Sequence, residues 1–298
     1  MTLTLTPPPP AKTPDNPLVD FWNQILAPKF LKFRHVLVGG LSQHSEAVLP
    51  LLPVAQGDRA LDVGCGFGDT AIELARRVGP QGRVLGVDCC QAFLDIAQQC
   101  AQAEGMNNLR FDNQDAERGL DQQAFDFVFA RFGTMFFTNP VAGLRAMRRA
   151  LKPGGHMAHI VWRRREDNPW LSAARDTVLR FLPPPGENAQ TCGPGPFSMA
   201  DEATTRAQMR AAGFVDIHFQ RIDAKVLVGH TVADAIAFQL ALGPAGETFR
   251  EAGPLAEVRR PEIEAALADL FSGVETNSQG LWMDSSSWLI TARAPQAL

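Results

Sequence analysis

The chain has 298 residues, 45% of them hydrophobic and 20% charged, a balance ordinary for a globular protein and long enough to bury a core without disulfides or metals. Its formal net charge of −4, with only short scattered arginine clusters, argues against a nucleic-acid partner. No apolar run approaches the roughly 18 residues of a membrane helix, so no membrane span is expected.

Residues 1–16 are rich in Thr and Pro and read as a disordered or polyproline-like tail. The start has no basic segment followed by an apolar one, so a cytoplasmic location is expected. Helical spacing then places Val19, Trp22, Ile25 and Leu26 on one face, continued by Phe30, Leu31 and Phe33. Gly39-Gly40 breaks that pattern, and a second helix is expected from about Ser42 to Leu52. From Arg59 the rhythm changes. Strands are expected at Arg59–Val63, Arg83–Val87, Leu109–Phe111 and Phe125–Ala130, with helices at Asp69–Val78, Ala92–Ala103 and Val141–Leu151. Lys152 to Gly155 reads as a sharp turn into a fifth strand, His156–Trp162. Such alternation means parallel βαβ units. Further on, Asn168–Leu182 looks helical and is stopped by Pro183, Pro184 and Pro185. Ser198 with Asp201 suggests a capping box for a helix ending at Gly213. Val215–Ile222 reads as a strand, residues 231–272 hold two or three helices, and Leu281–Ala294 a last strand.

Five cysteines, Cys65, Cys89, Cys90, Cys100 and Cys192, form no CxxC pair and no zinc spacing. They read as free thiols, and no metal site is expected. Tyrosine is absent, so no phenol takes part in the chemistry.

The strongest chemical signal is Asp62-Val-Gly64-Cys-Gly66-Phe-Gly68-Asp69, between an expected strand and an expected helix. Glycine there lets backbone N–H groups approach a ligand, and the helix N-terminus favours negative charge. A dinucleotide loop would follow GxGxxG, but the third glycine, Gly68, falls one residue early. The pattern DxGxGxG instead resembles motif I of the class I S-adenosylmethionine (SAM)-dependent methyltransferases. Three more positions carry the resemblance. Asp88 ends the second strand, where an acidic side chain accepts hydrogen bonds from ribose hydroxyls. Asp115-Ala116 follows the third strand, where the family places an acidic residue against adenine. Leu151-Lys-Pro-Gly-Gly155 matches the family's LxPGG turn. Residues 130–140 and Gly193 to Phe197 resemble a bacterial branch related to the ubiquinone/menaquinone C-methyltransferases, which act on small molecules.

The resemblance implies a Rossmann-like, seven-stranded, mostly parallel sheet with helices on both faces and a helical lid. It implies SAM as cofactor, bound by Asp62, Gly64, Cys65, Gly66, Gly68, Asp88, Cys89, Asp115, Ala116 and Arg131. An aromatic cluster after strand four, joined by lid residues, suggests an apolar substrate chamber from Trp22, Phe30, Phe132, Met135, Phe136, Trp162 and Phe197. The expected organisation is a lid at 17–57, a SAM-binding core at 58–164, a lid insertion at 165–197, core again at 198–222, a second helical insertion at 223–279 and the last strand at 280–298. The expected partner is a small-molecule acceptor, and homo-oligomerisation stays open. In-line displacement at a sulfonium needs a base only where the acceptor must lose a proton. His35, His44 and His159 are the weak candidates for that role, with His35 and His44 more naturally read as surface histidines. His218 and His230 receive no role. Two rivals remain: an NAD-dependent oxidoreductase and a non-catalytic SAM-binding protein.

Overall fold

Short helices precede the first strand: α1 (Pro17–Phe21), a π-helical turn (Trp22–Leu26), α2 (Ala27–Lys32), α3 (Arg34–Gly40) and α4 (Ser42–Val48). This is seen in a computed structural model, which describes residues 17–187, 189 and 193–297. The expected tail at 1–16 and Cys192 lie outside the described residues. The wide turn is closed by a hydrogen bond from the Ala27 N–H to the Trp22 carbonyl. Such one-turn π segments re-aim side chains and recur at functional sites. Phe33, Val36 and Val48 form the buried face of this region. The expected break at Gly39-Gly40 falls instead at Leu41. Helix α3 runs through Gly40 because it packs on a strand: a Cβ there would lie 2.9 Å from the Leu227 carbonyl oxygen.

The middle of the chain follows the expected order, with β1 (Arg59–Val63), α5 (Asp69–Val78), β2 (Arg83–Asp88), α6 (Gln91–Ala103), β3 (Leu109–Asn113), β4 (Phe125–Arg131), α7 (Pro140–Ala150) and β5 (Leu151–Trp162). The turn expected at Lys152 to Gly155 lies inside β5 as an irregularity, where pairing with β4 skips from Phe125–Leu151 to Phe127–His156. Then come α8 (Pro169–Val178), α9 (Glu202–Ala212), β6 (Val215–Gly229), α10 (Val232–Ala241), α11 (Gly243–Glu251), α12 (Pro254–Ser272), β7 (Glu275–Asn277) and β8 (Gly280–Arg293).

The sheet order is β3-β2-β1-β4-β5-β8-β6, with β7 hairpinned onto β8. Strands β1 to β5 run parallel, and β8 is antiparallel to both of its long neighbours. This is the expected seven-stranded arrangement plus one short extra strand. Leu61, Val63, Phe127, Phe129 and Ile160 are buried, as strands covered on both faces require.

Two expectations are corrected here. The Ser198–Asp201 capping box does not form: Asp201 alone caps α9 by accepting from the Thr204 N–H, while Ser198 donates to the Met135 carbonyl. Strand β6 runs seven residues past Ile222, so residues 223–229 belong to the sheet and not to the lid. Asp223 and Lys225 disguise this stretch, but on an edge strand they reach Arg221, Ser286 and Asp284 without burial. Helices α8, α10, α11 and α12 pack on one another, and α3 and α4 rest on β6.

Candidate cofactor and acceptor site

The glycine loop between β1 and α5 folds back on the end of β2. Gly64 and Cys65 donate backbone N–H bonds to the Val87 carbonyl. The Gly66 N–H donates to Asp88 Oδ2 and the Cys90 N–H to Asp88 Oδ1, each at 2.9 Å. Burial raises the Asp88 pKa, while the hydrogen bonds from the Cys90, Gly66 and Cys89 backbone oppose the shift. The carboxylate is therefore locked in orientation before any ligand arrives. Gly66 has φ near +54°, and a Cβ there would meet no protein atom within 4 Å. Glycine at this point keeps the loop backbone bare toward open space, as close approach of a ligand requires.

A cavity of about 220 Å³ opens above this loop at the carboxyl edge of the sheet. Gly64, Cys65, Gly66, Asp88, Cys89, Asp115, Ala116 and Arg131 line it as expected; Asp62 and Gly68 do not. Gly68 is the left-handed N-cap of α5, and a Cβ there would come within 2.8 Å of Ala97 and 2.9 Å of Phe111. Its place is fixed by packing against α6 and β3, which corrects its assignment as a ligand residue. Asp62 lies beneath the loop, fully buried. Thr70 donates to its Oδ2 at 2.6 Å, and Oδ1 has no hydrogen-bond partner among the described residues. Burial pushes its pKa up to about 7.

Arg131 lines the cavity, but its guanidinium is engaged with protein, donating to Ser45 on α4 and Asp69 on α5, both at 2.6 Å. It staples the N-terminal helices to the glycine loop, which corrects its reading as a direct cofactor ligand. A second staple is Asn23, which donates to the Cys89 carbonyl at 3.1 Å. Asp115 accepts from the Glu117 N–H at 3.0 Å and faces Arg118 at 3.3 Å.

Several lining residues escaped sequence reasoning. Phe67 and Phe93 pack at 4.8 Å, and Phe93 meets Phe30 at 5.8 Å. Phe67 sat in plain view between two glycines; Phe93 is an apolar residue at a helix start, indistinguishable from core. Gln114 and Glu117 also line the cavity. Glu117 accepts from the Thr138 and Asn139 N–H groups, tying the loops after β3 and β4.

A larger cavity of about 540 Å³ lies next door, and all seven expected substrate residues line it. Trp22, Phe30, Leu37, Leu41, Phe132 and Phe136 line both cavities and so form the partition between them. Phe132 holds φ near +55°, a strained value for a non-glycine residue, with its ring stacked on Trp162 at 3.8 Å. Trp170, Gln239 and Glu247, from helices α8, α10 and α11, complete the chamber and carried no local signal.

None of the three histidine candidates lines either cavity. His44 is fully buried, correcting the surface reading. Ser285 already donates to the Ala224 carbonyl, so it accepts from His44 Nε2, while Ser287 donates to Nδ1. Burial first, then Arg131, lowers the His44 pKa to about 4. His159 is buried against Thr134, its pKa lowered to about 3 by burial. His35 is on the outer surface beside Asp234. The base role assigned to these three is thus not supported by their positions.

A methyltransferase-domain family model matches residues 55–178. A demethylmenaquinone methyltransferase of Staphylococcus carnosus is 28% identical over 192 residues, 61% of this chain and 78% of that protein. One of Geobacillus kaustophilus is 37% identical over 111 residues, 37% of this chain and 47% of that protein. Residues 55–178 thus match a methyltransferase domain, and the relatives are methyltransferases by name. Among solved structures, the Bacillus subtilis YcgJ protein superposes with a TM-score of 0.55 at 18% identity, covering 85% of this chain and 99% of that one. A Haemonchus contortus phosphoethanolamine N-methyltransferase, solved with SAM, gives 0.58 at 17%, covering 94% and 60%. Both show the shared fold. Nothing in these comparisons supports the nicotinamide alternative. The residues present suit SAM: a locked carboxylate for a diol, and a bare glycine backbone facing open space.

Proposed function

We propose that this methyltransferase acts on a small, largely apolar or aromatic acceptor. The observation that carries the reading is the chamber beside the cofactor cavity, separated from it by a thin aromatic partition. Its volume falls in the usual range for small-molecule sites, roughly 300–1,000 Å³. Two polar atoms in its wall residues, Trp170 Nε1 and Gln239 Oε1, are buried without a partner among the described residues. Gln239 Nε2 donates to the Trp170 carbonyl, which fixes the amide with its oxygen unpaired.

In this reading SAM supplies a methyl group on a sulfonium, already a good leaving group. Asp88 and Asp115 hold its ribose and adenine ends, and Arg131 and Asn23 keep the cap closed over it. Trp22, Phe30 and Phe136 exclude water, and their faces favour a cationic sulfur. Glu247, with its pKa raised by burial against the opposing pull of Arg250 and Arg175, is the chamber carboxylate suited to take a proton. The acceptor remains a small molecule, consistent with a net charge of −4. Among the described residues no helix is long and apolar enough to cross a membrane. The cytoplasm stays the proposed compartment.

The test is turnover of SAM with a panel of hydroxylated and unsubstituted aromatic compounds, read by mass spectrometry. The relatives' name makes demethylmenaquinone the first compound to try. Methylation of compounds in this aromatic panel supports the reading. Tight SAM binding in calorimetry with no product from any compound would favour a non-catalytic SAM-binding protein instead.

A further inference from the structure

Outside both cavities, His35 on α3, His230 before α10 and Asp234 in the first turn of α10 converge. One ligating atom from each lies within 4.8 Å of the others. His35 Nε2 stands 3.2 Å from Asp234 Oδ1. In a tetrahedral zinc site with bonds of about 2.0–2.1 Å, neighbouring ligand atoms sit about 3.3 Å apart, so this pair already spans one edge. Two further contacts resemble the outer support of a metal site. His230 Nδ1 lies 2.7 Å from the Gln279 carbonyl, so that nitrogen carries the proton and Nε2 keeps the lone pair. Asp234 Oδ2 accepts from the His230 N–H at 2.9 Å, which orients the carboxylate, and His35 Nε2 lies 3.2 Å from Oδ1 and 3.3 Å from Oδ2. The two imidazoles stack at 5.5 Å. His35 is half-exposed, so an ion can reach its ring nitrogen from solvent.

We propose that His35, His230 and Asp234 form a binding site for a divalent transition metal of the zinc class. Two imidazoles and one carboxylate, without thiolate, suit Zn²⁺, Ni²⁺ or Co²⁺ over Ca²⁺ or Mg²⁺. Three protein ligands leave a fourth position for water. The ion fastens the N-terminal cap to the α10 insertion and, beside it, to the β7–β8 turn that carries Gln279. His35 lies on the helix that supplies Leu37 and Val38 to the cofactor cavity. Metal binding therefore acts on the closure of the cap and not on the reacting atoms.

The experiment is titration of chelator-treated full-length protein with ZnCl₂, with metal content measured after gel filtration and a parallel Co²⁺ absorption spectrum. One equivalent of zinc is expected, with a visible Co²⁺ spectrum that lacks a thiolate charge-transfer band. The midpoint of thermal unfolding should rise with zinc. His230→Gln and His35→Gln, both outside the cavities, should each weaken uptake by at least about tenfold with SAM affinity unchanged in metal-free buffer. The proposal is overturned by no stoichiometric uptake, or by uptake that both variants retain. It is equally overturned by a thiolate band, which would place the ion on the other convergent group, Asp88, Cys89 and Cys90.

Discussion

The cofactor cavity has a floor of glycine-loop backbone and strand-end carboxylates under an apolar roof, whereas the acceptor chamber is walled almost throughout by large side chains carried by helices. In the first, Asp88 ends β2, and Gly64, Gly66 and Asp115 sit on loops whose course is set by the parallel sheet. In the second, Trp162, Trp170, Gln239 and Glu247 come from β5, α8, α10 and α11, which meet only through tertiary packing. A floor of backbone groups resists substitution. A site of side chains can be re-cut by single replacements while its neighbour stays intact. One fold thus keeps a fixed cofactor end and an adaptable acceptor end, joined by the partition of Trp22, Phe30, Phe132 and Phe136.

The largest effect is expected where both halves depend on one segment. Deleting residues 1–40 removes Trp22, Phe30 and Leu37 from both cavities at once. Turnover should fall by at least about 10²-fold, the scale expected when reactants lose their alignment. Circular dichroism should still report the sheet. A truncated enzyme with full turnover would show that the partition is dispensable and the two halves unrelated.

Next comes the cofactor half alone. Asp88→Ala removes a carboxylate that two backbone donors hold in place. Losing one or two hydrogen bonds to a charged acceptor costs about 1.5–3 kcal/mol each, so SAM affinity should drop by about tenfold or more. Calorimetry checks this, with the Michaelis constant for the acceptor unchanged. An unaltered SAM affinity in a folded variant would remove Asp88 from the cofactor site.

The same division explains what could be read before the fold was known. Strands β1 to β4 were legible because each is a short apolar run ended by turn residues, and their ends fall within two residues of expectation. The glycine loop was legible because closely spaced glycines mark positive φ and close approach. Even there, residue type alone could not separate Gly66, which faces the cavity, from Gly68, which packs against Ala97. The aromatic cluster after β4 was legible from its place at the carboxyl edge. Trp170 and Gln239 were not, since they reach the chamber wall only when α8 and α10 pack in the finished fold. His44 defeated the reading because Ser285 and Ser287, over two hundred residues away, are what make a buried histidine tolerable.

The acceptor half can be perturbed on its own through Trp162, which lines the chamber and not the cofactor cavity. Trp162→Leu loses the stack on Phe132 and the edge contact with Trp170 at 5.1 Å. Aromatic pairs are worth about 0.5–1.5 kcal/mol beyond burial, so the acceptor Michaelis constant should rise roughly two- to tenfold. SAM affinity should stay within about twofold of the parent, an allowance inside that same range. Equal losses for both ligands would mean that the partition transmits every change and the halves cannot be tuned apart.

The smallest effect on the reaction, and the sharpest check on the cofactor half, concerns Asp62. Its folded pKa is raised to about 7, above the unfolded value of 3.8, so the folded chain holds the proton more tightly. Stability from this group is therefore full at low pH and is lost as pH rises through the folded pKa. Asp62→Asn keeps an oxygen for Thr70 and removes the ionisation. His44 and His159, with pKa values lowered to about 4 and about 3, act in the opposite sense, costing stability as pH falls below the unfolded value of 6.5. Both proteins share those histidines, so their contribution cancels in the difference. Between about pH 6 and pH 8 the variant should gain roughly 1.4 kcal/mol over the parent, one pKa unit's worth. Chemical denaturation at the two pH values measures it. A flat difference would show that Asp62 is ionised throughout, its buried oxygen compensated by charge around the glycine loop.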